Sequence, residues 1–407
     1  MHPSTAVPTI HIGPFLDGDA QAQAQIANQV AQTCEQTGFL IISGHRFPSG
    51  LFETATQQLF DFFDLPHETK QQWHPTGLSK QRGFHGFATR GLAHTLGQKT
   101  PPDLRESLFL GPIDDHRAHY QHLPQAATSY APNLIPNLPT GLDQTLVRLY
   151  RAYERLAEDM MRLFGAALRL PPGYFDGVLQ RHFSILSCHH YPVLSEAPMP
   201  HQLRTGAHTD YGAMTILAST DAQGGLEVQM PDGQWRAVQA QPGEFVVNLG
   251  DMMARWTNDK WASTLHRVAN PPVGMAQSRR LSIGMFVHPN YDQSIASVPT
   301  CVAPGEMPRY PAMTAGEHIQ RKIEAEPNRA LLTKHDVEAM LATYDTHPEV
   351  ALITALQKCL GMPHASWETL IECAVPQPEE SERLLSLNTD ALDALVKTLN
   401  ETRGAGL

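Results

Sequence analysis

The stretch Gly206-Ala207-His208-Thr209-Asp210-Tyr211-Gly212, answered by His266 in Ser263-Thr264-Leu265-His266-Arg267-Val268, holds the residues best suited to chemistry in this chain of 407 residues. Residues i and i+2 of a β-strand point to the same side, so His208 and Asp210 are expected to present an imidazole and a carboxylate to one point. A third imidazole, His266, arriving from a separate strand completes one face of an octahedron. Two histidines and one carboxylate on one face, with the opposite positions open, suit non-haem Fe(II) and its oxygen chemistry.

Spacing alone is a weak signal. With 21 His and 41 Asp plus Glu, chance gives roughly two His-x-Asp/Glu matches, and the chain holds two. Context separates them. His347-Pro348-Glu349 sits in a polar turn between helix-like segments, whereas His208 and Asp210 lead into the β-type run Met214 to Ala218. His182, His189 and His190 form a rival cluster on paper, but an odd spacing of seven puts His182 and His189 on opposite sides of a regular strand.

These motifs, with Arg280-Leu281-Ser282 downstream of His266, resemble the isopenicillin N synthase-like branch of the 2-oxoglutarate- and Fe(II)-dependent dioxygenases. Order, spacing and flanking phrases agree over most of residues 5 to 325. The resemblance implies that His208, Asp210 and His266 hold Fe(II) and leave three adjacent positions for 2-oxoglutarate and O2. Arg280 is then the partner of the co-substrate's distal carboxylate, because a guanidinium meets a carboxylate through two parallel hydrogen bonds. Ser282, two residues on along the same strand face, adds a hydroxyl, while Arg279 faces the other way.

Upstream, relatives carry Asn-Tyr-Tyr-Pro where this chain has His189-His190-Tyr191-Pro192, so Tyr191 inherits a hydrogen bond to the co-substrate. His189 replaces the usual Asn, as a donor behind the site, part of an altered pocket, or a packed histidine. By the same resemblance, the phrases from Arg82-Gly83 and from Asp103-Leu104-Arg105-Glu106-Ser107 border the substrate side. Their plain alternative is a glycine turn and a solvated charge pair. Trp256 and Asn258 match a family phrase that holds the turn before the distal histidine.

The implied reaction is oxidation of a small molecule by hydroxylation, desaturation or ring formation, in secondary metabolism, with release of succinate and CO2. Three other readings stand beside it: an Fe(II) oxidase of the same fold that consumes no 2-oxoglutarate, a catalytically silent binding module, and a zinc hydrolase. The last lacks a Glu placed as base in the manner of His-Glu-x-x-His.

Elements must hold these residues in place. Val7 to Gly13 reads as a strand, Asp19 to Gln36 as a helix stopped by Gly38, and Phe39 to Ser43 as a buried strand. Amphipathic helices are expected at about 49–63 and 141–169, the second with Leu142, Leu146, Leu149, Tyr153, Leu156, Met160 and Phe164 on one face. From His182 the pattern turns to short strands at 182–190, 213–220, 225–229, 234–239, 244–249, 263–269 and 279–288. Asp232-Gly233 is a hairpin signal. Strands this short and this evenly spaced mean a sandwich or barrel, and a double-sheet jelly roll has a mouth that holds a metal.

The fold class is therefore mainly β with flanking helices, a distorted double-stranded β-helix. Its expected parts are a mixed α/β region over 1–170, the jelly-roll core over 171–327 and a helical extension over 328–407. In the extension Leu352, Ile353, Leu356, Leu360 and Trp367 form an apolar cluster.

Composition bounds the partners. A formal net charge of −11 and the absence of a Lys/Arg run give no electrostatic support for nucleic acid or an anionic membrane. No stretch of about eighteen apolar residues and no signal-peptide pattern is visible. Five scattered cysteines without a Cys-x-x-Cys pair read as free thiols of a reducing compartment. A cytoplasmic enzyme of a small-molecule substrate, monomer or homodimer, is the expectation.

Overall fold

The computed structural model describes residues 7–76, 81–89, 91, 101–194, 196–220, 224–272 and 279–328. The chain divides into two compact units, residues 1–93 with 100–319, and residues 94–99 with 320–407. All strands and the site below belong to the first. Of the second, the described part is the end of one helix. The expected helical extension and the His347-Pro348-Glu349 turn lie outside the described residues.

Twelve strands are seen among the described residues: β1 (Thr9–His11), β2 (Phe39–Ser43), β3 (Gly83–His85), β4 (Glu106–Leu110), β5 (Ile185–Tyr191), β6 (Thr205–His208), β7 (Met214–Ser219), β8 (Leu226–Gln229), β9 (Trp235–Ala237), β10 (Phe245–Leu249), β11 (His266–Val268) and β12 (Arg280–Val287). The helices are α1 (Gly13–Leu16), α2 (Ala20–Gln36), α3 (Leu51–Phe63), α4 (His67–Lys70), α5 (Arg117–Tyr120), α6 (Leu142–Ala167), α7 (Asp251–Trp256) and α8 (Ala315–Asn328).

Eight strands form one sheet in the order β1-β2-β10-β7-β12-β5-β4-β3, and β6-β11-β8-β9 form a second. Only the β1–β2 pair is parallel. This is the two-sheet, double-stranded β-helix. Its back is covered by α6, whose apolar stripe is buried from Leu142 to Ala167 and packs on α2 and α3. Asp19 starts α2 by accepting from the backbone N–H groups of Gln21 and Ala22. Gly38, at φ +63°, ends it where a Cβ would lie 2.0 Å from the Ala262 carbonyl oxygen.

A buried polar chain fixes α3 to the outer face of β5. Lys70 Nζ donates to Glu106 Oε2 at 2.7 Å, Glu106 Oε1 pairs with His190 Nδ1 at 2.8 Å, and His190 stacks on Phe63 with centroids 4.9 Å apart. Arg279 donates to His190 Nε2 at 2.9 Å and reaches Asp64. Each charge here has a partner, the condition under which buried charge is tolerated.

Three expectations change. Strands β3, β4 and β6 have no counterpart in the sequence reading: they are short, and they exist because β4, β5 and β11 respectively supply their backbone partners. The predicted strands at 182–190 and 263–269 are β5 at Ile185–Tyr191 and β11 at His266–Val268. Asp210 also lies past the end of β6, so the i, i+2 strand rule does not position it. A turn held by α7 does so instead.

Candidate metal centre

His208 closes β6 and His266 opens β11, and the two are paired across the strands. Their ring centroids lie 4.4 Å apart. Asp210 arrives from the turn after β6, where its carbonyl accepts the Asp251 N–H at 2.7 Å and the Thr209 hydroxyl donates to Asp251. Gly250 permits this approach, since a Cβ there would stand 2.3 Å from the Gly212 carbonyl oxygen. Among the described residues, His208, Asp210 and His266 are the group of three whose ligand atoms converge, all within 4.8 Å of one another.

The hydrogen bonds decide which atoms face inward. Nδ1 of His208 lies 2.8 Å from the Gly206 carbonyl oxygen and Nδ1 of His266 lies 3.0 Å from that of Thr264. A carbonyl only accepts, so each Nδ1 carries the proton and each Nε2 keeps its lone pair. Asp210 Oδ2 accepts from the Thr215 hydroxyl and from Asn248 Nδ2. Its Oδ1 is turned to the two imidazoles, 3.6 Å from His208 Nε2 and 3.7 Å from His266 Nε2. Thr215 and Asn248 are themselves cross-strand partners on β7 and β10.

All three side chains are buried. Burial, then the neighbouring His266, holds the His208 imidazole far below the usual histidine range, so it is neutral. Burial opposes ionisation of Asp210, but His266, His208, Thr215 and Asn248 outweigh it and keep its carboxyl below the usual range. Two imidazoles whose Nε2 atoms face one carboxylate oxygen form a donor set that fits a divalent cation such as Fe(II).

Arg280, Ser282 and Tyr191 meet farther along the same inner face. Arg280 is the cross-strand partner of Tyr191, and Ser282 pairs with His189 on one side and Ser219 on the other. Arg280 donates to Ser219 Oγ at 2.7 Å. Gly225 lies over it, where a Cβ would sit 3.2 Å from Arg280 Nη1. The Tyr191 hydroxyl is 3.1 Å from Thr205 Oγ1.

The sequence reading missed Arg204. Its guanidinium is fully buried, 5.8 Å from the Tyr191 ring centroid, and pushed down to about 10 by burial and by Arg280. Arg204 stands four residues before His208, a spacing that carries no motif. The rival histidine cluster does not form. His182 binds Glu154 and Ser184, His190 lies on the outer face, and His189 bonds to Ser107. Asn258 accepts from the Arg309 N–H and Trp256 is buried in α7, so both hold their turn.

A double-stranded β-helix carrying this donor set at its mouth defines the class of Fe(II) oxygenases. Comparison with known proteins agrees. Residues 181–289 match the 2OG-Fe(II) oxygenase superfamily, and residues 7–137 match the N-terminal family of non-haem dioxygenases in morphine synthesis. The chain is 31% identical to the 2-oxoglutarate-Fe(II) type oxidoreductase hxnY of Emericella nidulans over 83% of its length and 98% of that protein. It is 28% identical to validamycin A dioxygenase of Streptomyces hygroscopicus subsp. limoneus, over 78% of this chain and 86% of that one.

Among solved structures, a full-length Neurospora crassa protein in complex with alpha-KG superposes with a TM-score of 0.68 at 29% identity, covering 78% of this chain and 95% of that one. The same Neurospora protein is also solved with alpha-KG and thymine. The chain belongs to the 2OG-Fe(II) oxygenase superfamily. Its cofactor is Fe(II), its co-substrates are 2-oxoglutarate and O2, and it is an oxygenase of small molecules. Among the described residues no helix is long and apolar enough to cross a membrane.

Proposed function

We propose that His208, Asp210 and His266 ligate Fe(II), and that Arg280, Ser282 and Tyr191 receive 2-oxoglutarate. The observation that carries this is the single carboxylate oxygen, Asp210 Oδ1, turned toward two imidazole Nε2 atoms at 3.6 and 3.7 Å, with Oδ2 held by Thr215 and Asn248. Fe(II) held there would supply the O2-activating chemistry, in which 2-oxoglutarate is converted to succinate and CO2 as a substrate C–H bond is oxidised.

The protein's own share is positioning. Gly206 and Thr264 fix the imidazole tautomers, and Thr215 and Asn248 fix the carboxylate. Arg280 presents a cation to the distal carboxylate of the co-substrate, and Ser219 sets the direction of its guanidinium. The burial of all these groups excludes water from the reacting centre.

Hydroxylation, desaturation and ring formation share this machinery, and the relatives differ in what they handle. One acts on validamycin A by its name, and another is solved with the heterocycle thymine. A small polar ring compound of secondary metabolism is the class of substrate we assign, turned over in the cytoplasm by a monomer or homodimer. The test is succinate formation by purified protein given Fe(II), 2-oxoglutarate and a small-molecule library. Succinate above the no-iron control supports the reading, and substrate oxidation without succinate would replace it with the 2-oxoglutarate-independent oxidase.

A further inference from the structure

The inner face of β5 carries a second polar group besides Tyr191. His189 lies two residues before it, is buried, and faces Ser282 across the strands. Its Nδ1 is 2.8 Å from Ser107 Oγ on β4, and its Nε2 is 3.2 Å from an Nη of Arg105. A guanidinium only donates, so His189 Nε2 accepts, Nδ1 carries the proton, and the ring is neutral. Burial first, and then the charge of Arg105, hold this imidazole well below the usual histidine range, in agreement with that tautomer.

Arg105 is the cation this arrangement holds in place. Its side chain is 9% exposed, and its other Nη lies 3.2 Å from Asp103 Oδ2. Asp103 Oδ1 in turn accepts the Gly206 N–H at 2.9 Å, on the strand that ends in His208, and Leu104 N–H donates to the Leu203 carbonyl at 3.0 Å. Arg105 is thus clamped between the strand carrying His208 and the strand carrying Tyr191. Its charge is felt at both His208 and His189. A guanidinium has five N–H donors; one is directed to His189, and Asp103 Oδ2 stands beside the group as its ion-pair partner.

We infer that Arg105 anchors the primary substrate through an acceptor oxygen, a carboxylate or a carbonyl, next to the C–H bond to be oxidised. His189 and Asp103 act as positioning residues that set the plane of its guanidinium. The inference rests on the oxygenase reading above and narrows its substrate to compounds with such an oxygen. Because Asp103 balances the charge of Arg105, a neutral amide or lactam carbonyl meets the same donors as a carboxylate does.

The test uses the full chain with Fe(II) and 2-oxoglutarate and a matched panel of cyclic carboxylates, their primary amides and their parent hydrocarbons. Stimulated succinate release is divided by the unstimulated release of the same protein. The acids or the amides are expected to stimulate the wild type, and the hydrocarbons are not. Which of the two oxygen classes stimulates identifies the acceptor. Arg105→Met should raise the KM of a stimulating compound at least tenfold. Arg105→Met combined with Asp103→Asn removes the uncompensated buried carboxylate and should show the same loss, which separates recognition from misfolding.

His189→Leu should raise that KM more than it lowers kcat, and His189→Gln, whose amide both donates and accepts, should restore it. Stimulation by the hydrocarbons, by no acid or amide, or an unchanged KM in both Arg105 variants would overturn the inference. The unstimulated, iron-dependent succinate release of the wild type reports on the oxygenase reading by itself.

Discussion

Arg279 and Arg280 are consecutive in the chain and lie on opposite faces of the large sheet. Arg280 turns inward to Ser219 and the Tyr191 end of β5, while Arg279 turns outward to His190, Asp64 and the Phe60 ring, 4.1 Å from its centroid. The alternation of side chains along a strand is enough to separate them. Their substitutions should therefore separate as well.

For Arg280→Ala the 2-oxoglutarate requirement is expected to rise by at least roughly thirtyfold, because truncating one partner of a buried, hydrogen-bonded charge pair costs about 2–5 kcal/mol. Iron binding should be retained. Arg279→Ala should instead lower the melting temperature, with a loss of about 1 kcal/mol for a partly exposed pair and ring contact. Co-substrate titrations and thermal melts of the two variants check this, and a shared phenotype would refute the division.

Iron affinity should depend on residues that never touch the metal. Thr215→Val and Asn248→Leu each remove one of the two hydrogen bonds that hold Asp210 Oδ2, and loss of such a supporting bond typically costs about 10–100-fold in metal affinity. Isothermal titration of metal-free protein with Fe(II) under nitrogen reads this directly. His208→Ala, Asp210→Ala and His266→Ala should abolish the binding with the fold retained by circular dichroism. Full iron occupancy in any of the three would show the ligand set to be wrong.

Removal of the metal should be reversible. Chelation is expected to stop succinate formation and leave the β-sheet intact, since the sheet's core clusters are built from apolar contacts that do not include the triad. Restoring Fe(II) should restore turnover, whereas Zn(II), which has no redox chemistry, should bind and not support it. Activity recovered with Zn(II) would favour the hydrolase reading.

Acid should destabilise the metal-free protein. His288, at the end of β12, is buried, its Nδ1 has no hydrogen-bond partner among the described residues, and burial pushes its pKa down to about 3. Between the ordinary histidine value of about 6.5 and that depressed value, the unfolded chain binds a proton that the folded chain does not. Its contribution is therefore intact above about pH 6.5 and is lost as pH falls toward 3, at up to about 1.4 kcal/mol per pH unit. Thermal melts at pH 7.5 and 5.5 should show the drop, and His288→Phe should make it shallower. An equal pH slope in both proteins would remove His288 as its source.

The short-range features of the site were written in the sequence. His208, Asp210, His266, Arg280, Ser282 and Tyr191 could be singled out as candidates because a metal and a dicarboxylate demand particular side chains, and strand periodicity puts Arg280 and Ser282 on one face. The strands β5, β7, β10 and β12 were legible because each is an apolar or alternating run. Tertiary structure alone decided the rest. Asp210 is positioned by a turn that α7 supports, and β4 and β6 exist only as partners of β5 and β11. Arg204 reaches the inner face from a segment with no motif of its own. Strand pairing between residues 80 or more apart brings His189 to Ser107 and to Arg105. No local pattern encodes that contact, because its partners are chosen by the register of the whole sheet.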